Sequence, residues 1–323
     1  MEKIMVSICC TAYNHENYIS DTIKSFLMQK TDFSFEILIH DDASTDGTAE
    51  IIKAYEQKYP TIIKPIYQIE NQYSKGIDVT CDYLYSRAKG KYIALCEGDD
   101  YWIDSNKLQK QFNYMEKHPA CSLCIHAAEV VSAANKKCIS LVRPNNDDKL
   151  YAVDEVIVGD GGLFATNSMF FPTILTEKIP SFYIECAVGD YPLVIYLALK
   201  GEVFYMNEVM SAYRFMALNS WSSKVFNNIE KQVCLNQNLK EMLLKVDAYS
   251  NYIYTDVIKN VILRNEFNLM LVTGEFEKLK KGKYKILYLE LNTKRKLIIF
   301  LKQYFPSIVN ILKNIKRKVI DGL

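Results

Sequence analysis

The sequence predicts an α/β fold in which helices flank a mostly parallel central sheet. Between residues 4 and 96, short apolar runs typical of buried strands alternate with segments of helical periodicity. This alternation indicates βαβ units and a doubly wound sheet. In addition, acidic clusters follow two of the predicted strands, and the ligand crevice of an open α/β sheet lies at such strand ends.

The predicted elements follow one another in a regular order in the first part of the chain. They are a strand at 4–12, a helix at 18–30, a strand at 35–40, a helix at 48–58, a strand at 62–68, a helix at 77–89 and a strand at 91–96. Turn-forming residues precede the helix at 48–58, and Pro60 ends it.

Beyond Pro119 the pattern is less regular. The expected elements are a strand at 121–131, a polar loop at 132–150, a helix at 186–200 and a strand at 202–207. From about residue 227 onward the chain is mostly helical, with interruptions at Gly274, Gly282 and Pro306. We therefore expect a helical C-terminal extension.

Composition excludes several classes of protein. The chain has 323 residues, of which 49% are hydrophobic and 24% charged, so it is neither disordered nor fibrous. Nine cysteines without regular spacing favour a reduced, cytoplasmic protein over a disulfide framework. A strand-like run follows Met1 almost at once, which leaves no room for a signal peptide, and no apolar stretch is long enough to span a bilayer.

The charge is unevenly distributed. Residues 276–323 hold 13 Lys/Arg against 3 Asp/Glu, and because the whole chain has a net charge of +1, the first 275 residues carry about −9. Lysines and apolar residues mix in a way that permits an amphipathic helix. We expect either peripheral contact with an anionic membrane through residues 294–323, or a helix that packs on its own domain with a solvated basic face.

Two acidic clusters are the candidate functional residues. Glu97-Gly98-Asp99-Asp100 closes the apolar run 92–96, and Asp41-Asp42 ends the strand at 35–40. Crowded carboxylates repel one another unless a cation lies among them, and a divalent metal with a diphosphate as its second partner fits that need. The alternatives are a solvated acidic loop and a turn with a helix cap.

Four segments in this order resemble the signatures of glycosyltransferase family 2. They are Thr11-Ala12-Tyr13-Asn14, the run from Asp41 to Thr48, the run from Ala88 to Ala94, and the run from Glu97 to Trp102. The resemblance is dense over residues 4–120 and sparser to about 225. It implies a GT-A type, Rossmann-like fold, a nucleotide-activated sugar as donor, and inversion at the anomeric carbon.

The resemblance also implies roles for residues of the nucleotide-binding half, 1–120. Thr11, Ala12 and Tyr13 would line the nucleoside pocket, and Asp41 or Asp42 would bind the base, commonly uracil.

The metal and the ribose would meet the second acidic cluster. Asp99 would ligate Mg²⁺ or Mn²⁺ at the diphosphate, and Glu97 or Asp100 would touch the ribose or the water shell of the metal. The family more often has Asp at position 97.

The acceptor half, 121–225, would supply the catalytic base. Gly159-Asp160-Gly161-Gly162 and the following 166–169 resemble the acceptor loop, or else form a flexible turn. Gly189-Asp190 resembles the segment that carries the base, so Asp190 would take the proton of the acceptor hydroxyl. The alternative is that Asp190 only caps a helix.

A late motif resembles the segment that folds over the diphosphate. Tyr213-Arg214 is followed by Ser220-Trp221-Ser222, and Arg214 suits phosphate pairing. The family frequently has His two residues after this Arg, and here that position is Met216.

These features predict a metal-dependent inverting glycosyltransferase with domain 1–225 and a helical region 226–323. The donor would be a nucleotide-diphosphate sugar, with UDP expected, and the acceptor a hydroxyl of a glycan or lipid-linked saccharide in surface polysaccharide biosynthesis. No nucleic-acid partner is expected. The alternatives are a nucleotidyltransferase and a non-catalytic nucleotide-sugar-binding scaffold subunit.

Overall fold

The computed structural model describes residues 3–215, 217, 225 and 228–305. The chain divides into two compact units, residues 1–224 and residues 225–323. The predictions for Met216, for Ser220-Trp221-Ser222 and for the tail after Phe305 lie outside the described residues.

The first unit is built on a ten-stranded mixed sheet with the order β3-β2-β1-β4-β9-β6-β10-β5, in which β7 pairs with β6 and β8 with β10. The strands are β1 (Ile4–Ala12), β2 (Ser34–Asp41), β3 (Ile63–Tyr67), β4 (Tyr92–Leu95), β5 (Tyr101–Trp102), β6 (Cys121–Ser132), β7 (Cys138–Val142), β8 (Lys149–Tyr151), β9 (Phe170–Pro172) and β10 (Glu202–Phe215).

The predicted parallel arrangement is present where the βαβ units are. Strands β3, β2, β1 and β4 pair in parallel, as do β6 and β10. Strand β9 joins these two groups because it pairs antiparallel with both β4 and β6. The fold class predicted from the sequence is confirmed.

The helices of the first unit flank this sheet. They are α1 (Ile19–Leu27), α2 (Thr48–Lys58), α3 (Lys107–Lys117), α4 (Val153–Val158), α5 (Ser181–Ile184) and α6 (Asp190–Ala198). Helix α1 places Ile19, Ile23 and Phe26 on one face, and all three are fully buried against the sheet.

Two sequence predictions for local structure were wrong, and a third gave only part of a strand. Residues 132–150 contain β7 and β8, which sequence periodicity misses because the side chains of β7 are mostly exposed. The strand predicted at 202–207 continues to Phe215 across register shifts that break its alternation. The helix predicted at 77–89 is a π-helical turn, Thr80–Leu84, followed by a 3₁₀ turn, Tyr85–Arg87.

A buried polar contact joins β1, β2 and the chain that enters β4. The Ser7 hydroxyl on β1 donates to Glu36 on β2 at 2.7 Å and accepts from the Gly90 N–H at 2.9 Å. A Cβ at Gly90 would lie 2.4 Å from the Ser7 nitrogen, so only glycine allows the chain entering β4 to approach β1 this closely. The C-terminal ends of these strands are thereby held at one edge.

The second unit is helical. Its helices are α7 (Ile229–Tyr249), α8 (Thr255–Thr273), α9 (Phe276–Leu279), α10 (Lys285–Glu290) and α11 (Thr293–Tyr304). Phe267, Leu279 and Ile299 form its small core. Glu266 accepts hydrogen bonds from Lys240, Lys283 and Tyr284 and ties the helices together.

The Glu266 carboxylate is held in its charged form. Burial opposes ionisation, but the three hydrogen bonds outweigh it and lower the pKa of Glu266 to about 2. Among the described residues, none of the helices combines the length and apolar character needed to cross a bilayer.

Candidate active site

The loops that follow β1 and β2 form one wall of a crevice. The Thr45 N–H donates to the Asn14 side-chain oxygen at 2.8 Å, and the Asn14 N–H donates to the Ser44 hydroxyl at 2.9 Å. The His15 N–H donates to the Thr48 hydroxyl at 2.7 Å. These bonds fix the two loops to each other beyond the strand ends, where the sequence predicts the ligand crevice.

The end of β1 lies between the two acidic clusters. The Ala12 carbonyl accepts from the Asp42 N–H at 2.9 Å, and the Thr11 carbonyl accepts from the Gly98 N–H at 2.8 Å. Ala12 is buried, whereas Tyr13 is 37% exposed and its ring is accessible to a ligand. The structure therefore brings the predicted nucleoside residues to the same edge as both clusters.

Asp41 and Asp42 are both buried but have different partners. Asp42 accepts hydrogen bonds from the N–H groups of Gln72 and Tyr73 at 2.7 and 3.1 Å, which anchors the loop after β3. Asp41 accepts from the Ser44 hydroxyl at 2.5 Å. Burial raises the pKa of Asp41, against the hydrogen bonds from Ser44. The Ser44 N–H donates to the second Asp41 oxygen at 3.4 Å, so Asp42 anchors a neighbouring loop and Asp41 is bonded within its own turn.

Asp100 is buried and hydrogen-bonded within the protein. Its side chain is 1% exposed, and its two oxygens accept from the Arg214 N–H and from the Asn167 amide, both at 2.8 Å. The tight turn in which the Asp100 N–H bonds the Glu97 carbonyl directs this carboxylate into the protein. In this structure the Asp100 carboxylate therefore faces the protein interior and is bonded on both oxygens.

Glu97 and Asp99 are only partly buried. Within the described ranges, neither carboxylate accepts a hydrogen bond from another residue. Burial and the nearby negative charges of Asp99 and Asp190 raise the pKa of Glu97 to about 8. Three carboxylates thus approach one another without a cation from the described part of the chain among them.

Asp190 reaches this cluster from the acceptor half. It is the first residue of α6, and a Cβ at Gly161 would lie 3.8 Å from both of its carboxylate oxygens. The Tyr191 N–H donates to one of these oxygens at 2.7 Å, and burial raises the pKa of Asp190. Gly161 leaves the carboxylate open on the side where a side chain would cover it.

Arg214 is also buried. It is 1% exposed, and its guanidinium lies 4.5 Å from the ring centre of Tyr101 and 5.1 Å from that of Tyr18. It donates to Asp21 at 2.6 Å and to the Asp99 carbonyl. Two guanidinium nitrogens thus bond Asp21 of α1 and the loop 97–100 after β4, here called the acidic loop, while the buried Nε has no partner among the described residues.

Sequence reasoning missed three residues that shape the site. The Thr22 hydroxyl contacts the carbonyls of Gly98 and Asp100 at 3.0 and 2.6 Å. Asn167 bonds Asp100, and His15 lies against Gly98 with a buried Nδ1 that has no partner among the described residues. A helix-face Thr, a turn Asn and a loop His carry no sequence signal for these roles.

The donor set fits a divalent cation that arrives with its own oxygens. In the described part of the chain, no group of three or more His, Cys, Asp or Glu side chains is arranged to hold a metal. Mg²⁺ and Mn²⁺, however, need only one or two carboxylates when phosphate oxygens complete the shell. Asp99 and Glu97, with free oxygens, meet that need.

Comparison with known proteins identifies similar sequences. The sequence model described as "Glycosyl transferase family 2" matches residues 7–168. An uncharacterized glycosyltransferase of Methanocaldococcus jannaschii is 36% identical over 272 residues, which cover 80% of this chain and 90% of that protein. An uncharacterized protein of Mycobacterium tuberculosis is 35% identical over 222 residues and 68% of this chain, and the match spans only 61% of its length.

A shorter match concerns a protein with a named reaction. The Escherichia coli UDP-Glc:alpha-D-GlcNAc-diphosphoundecaprenol beta-1,3-glucosyltransferase WfaP is 38% identical over 112 residues, which is 35% of this chain and 41% of that protein.

Two solved structures share the fold. The Staphylococcus aureus TarS 1-349 complex with UDP-GlcNAc superposes with a TM-score of 0.59 over 91% of this chain and 78% of that one. The Pyrobaculum calidifontis mannosyltransferase PcManGT, with GDP-Man and Mn²⁺, gives 0.53 over 93% and 87%. Both are 14% identical to this chain, so the similarity establishes the fold alone.

The different environments of Asp99 and Asp100 predict different stability effects. Asp100→Asn sets its new amide against the Asn167 amide, donor facing donor, and should lower the free energy of unfolding by about 1–3 kcal/mol. Asp99→Asn removes repulsion and breaks no hydrogen bond from a described side chain, so stability should change by less than about 0.5 kcal/mol. Urea unfolding of both variants measures this, and equal losses would contradict the inward orientation of Asp100.

Proposed function

The chain belongs to glycosyltransferase family 2, and from this premise we propose that it transfers a sugar from a UDP-sugar to a hydroxyl of a glycan or lipid-linked saccharide, with inversion. The observation that carries the proposal is the convergence of Asp99, Glu97 and Asp190 beside the end of β1. Two relatives support this class of acceptor by their names: a putative teichuronic acid biosynthesis glycosyltransferase of Bacillus subtilis and the E. coli glucosyltransferase named for GlcNAc-diphosphoundecaprenol.

The donor is proposed to bind along the wall formed by the loops after β1 and β2. Tyr13 offers an exposed ring for stacking on the base, and the Asp41 carboxylate is proposed to accept a hydrogen bond from an N–H group of the base. Thr11 and Ala12 lie beneath. UDP is favoured because the E. coli relative is named for UDP-Glc and the S. aureus structure holds UDP-GlcNAc, although PcManGT holds GDP-Man.

Asp99 is proposed to hold Mg²⁺ or Mn²⁺ at the diphosphate, with Glu97 beside it. The bound cation would neutralise charge that develops on the leaving nucleoside diphosphate. The structure of PcManGT with Mn²⁺ supports a divalent ion. Burial, and then repulsion from Asp99 and Asp190, raise the pKa of Glu97, and a cation would relieve this repulsion, which favours the same assignment.

Asp190 is proposed as the general base. The acceptor oxygen attacks C1 of the sugar from the face opposite the diphosphate, the bond from C1 to the diphosphate oxygen breaks, and the hydroxyl proton passes to the Asp190 carboxylate. A carboxylate is a weak base, so it receives the proton late, when the attacking oxygen is already acidic. Burial makes this carboxylate more basic than an exposed Asp.

Nucleotide binding tests the donor half of the proposal. Calorimetric titration with UDP, GDP, CDP and dTDP, in Mn²⁺ and in chelator, should show metal-enhanced binding of UDP. Asp99→Ala should abolish the enhancement, because the metal loses its protein ligand. The control variant is Asp154→Ala, because Asp154 is exposed on α4. Asp46→Ala would be unsuitable, since Asp46 accepts a hydrogen bond within the wall itself. Undiminished enhancement in Asp99→Ala would remove Asp99 from the metal site.

Asp190→Asn tests the base. Release of UDP from UDP-sugars in Mn²⁺, with and without added saccharide, should fall at least about 100-fold, while UDP affinity stays unchanged. The wild-type rate should fall as pH drops through the raised pKa of Asp190, since the protonated carboxyl cannot accept a proton, and Asp190→Asn should lack this acid limb. A matched control is Asp154→Asn. Full activity in Asp190→Asn would favour a different base, and nucleotide binding without any turnover would favour the scaffold alternative.

The second unit supports a proposed contact with the inner face of the membrane. Leu297, Phe300 and Tyr304 form one exposed face of α11, while Ile299 packs inward. Lys294 and Arg295 lie one turn before this face and pair with no carboxylate among the described residues. An apolar face edged by cations fits an anionic lipid surface.

Vesicle sedimentation tests the membrane contact. The full chain should sediment with phosphatidylglycerol vesicles and remain free with phosphatidylcholine. The double variant Lys294→Glu/Arg295→Glu should bind at least about tenfold more weakly, since each cation near an anionic surface contributes about 1 kcal/mol. Lys58→Glu/Lys117→Glu changes the net charge equally at exposed sites of the first unit and should bind normally. Equal losses in both double variants would show only a general charge effect and would refute the α11 contact.

A further inference from the structure

Asn167 connects the acidic loop to strand β10 through a fully satisfied side chain. It is 0% exposed, its amide nitrogen donates to Asp100 at 2.8 Å and to the Ala212 carbonyl at 3.2 Å, and its oxygen accepts from the Ser211 hydroxyl at 2.6 Å. Two acceptors face the nitrogen and one hydroxyl faces the oxygen, so the orientation of the amide is fixed.

The backbone of Asn167 makes a second connection to the same loop. Its carbonyl accepts from the Trp102 indole N–H at 2.9 Å, and the Trp102 ring packs against Phe26 of α1 at 4.7 Å. Asp100 and Trp102 follow Asp99 in the chain by one and three residues. Asn167 bonds both, and so holds the chain on the C-terminal side of Asp99.

Asn167 also lies on the segment that borders the proposed base. Gly161, whose Cβ position is 3.8 Å from the Asp190 carboxylate, precedes Asn167 by six residues in the same stretch of chain. One end of this stretch thus faces Asp190, and the other end bonds Asp100, the residue after Asp99.

We propose that Asn167 is a positioning residue that, through Asp100, sets the place and direction of the Asp99 carboxylate. This rests on the proposed function, since it assumes that Asp99 meets the metal-bound diphosphate. The side chain has no exposed atom for a ligand and acts through Asp100. A displacement of about 1 Å at a reacting centre can lower a rate on the order of 100-fold, so a buried amide with this connectivity has a large effect on turnover.

Neither Asp nor Ala at position 167 would reproduce this set of bonds. Asp would place a second carboxylate against Asp100 and against the Ala212 carbonyl. Ala would leave one oxygen of Asp100 and the hydroxyl of Ser211 unsatisfied inside the protein, and the loop would move to find water.

The test is the gain in UDP affinity that Mn²⁺ produces, expressed as the ratio of the dissociation constants in chelator and in Mn²⁺. Asn167→Ala should lower this ratio about tenfold while UDP affinity in chelator stays within about twofold of wild type. The matched control is Ser7→Ala, which also removes a fully buried hydrogen-bonding group but lies in the N-terminal half of β1. It should lose stability and keep the full ratio.

A second variant keeps the proposal testable if Asn167→Ala does not fold. Ser211→Ala leaves the bond from Asn167 to Asp100 in place but frees one end of the amide, and it should lower the ratio by a smaller factor, about threefold. A wild-type ratio in the folded Asn167→Ala protein, or in Ser211→Ala if that is the only soluble variant, would overturn the positioning role alone. A wild-type protein without any Mn²⁺ gain for the four nucleotides would overturn the proposed metal site and this role together.

Discussion

The candidate site depends on one buried carboxylate. Asp100 accepts the Arg214 backbone N–H on one oxygen and the Asn167 amide on the other, and so ties the loop after β4 to β10 and to the turn at Thr166–Ser168. Burial raises the pKa of Asp100, and these two hydrogen bonds act against that rise. A buried acid without partners would be strongly unfavourable, so the neighbours of Asp100 are constrained to present N–H groups at fixed positions. The direction of Asp99, one residue earlier, follows from that constraint.

The remaining acids of the loop are left without such compensation. Two nitrogens of the Arg214 guanidinium, which lies between two tyrosine rings, donate to Asp21 and to the Asp99 carbonyl. Arg214 stabilises the backbone of the loop and does not neutralise the carboxylates of Glu97 and Asp99. The positive charge of Arg214 therefore stabilises the conformation of the loop, and the carboxylates of Glu97 and Asp99 remain unpaired among the described residues at the crevice. A cation supplied with a ligand gains from this arrangement, because its binding removes repulsion already present in the free protein.

Sequence predicted the parts of this molecule whose signal is local. Hydrophobic runs defined β1, β2 and β4 to within a few residues, and strand ends located the acidic clusters, because both follow from short-range periodicity and from the geometry of parallel sheets. The surroundings of Asp100 and Arg214 could not be predicted, for the opposite reason. Whether a carboxylate faces the crevice or the core depends on partners 67 and 114 residues away, and no local pattern encodes those contacts. Strand β7 was missed because an exposed antiparallel edge has no buried face to generate alternation.

The division of labour among the carboxylates follows from what surrounds each one. Asp42 and Asp100 have both oxygens bonded to N–H donors, and each fixes a loop: the loop after β3 and the loop after β4. Asp99 and Glu97 have no such donors among the described residues, and Asp190 has the one N–H of Tyr191. Carboxylates of similar chemistry thus differ in whether they are held inside the protein or left open to a ligand, according to the number of backbone and amide donors that reach them. Counting those donors is a physical criterion for separating the two roles, and it requires the tertiary structure, because most of the donors come from distant segments of the chain.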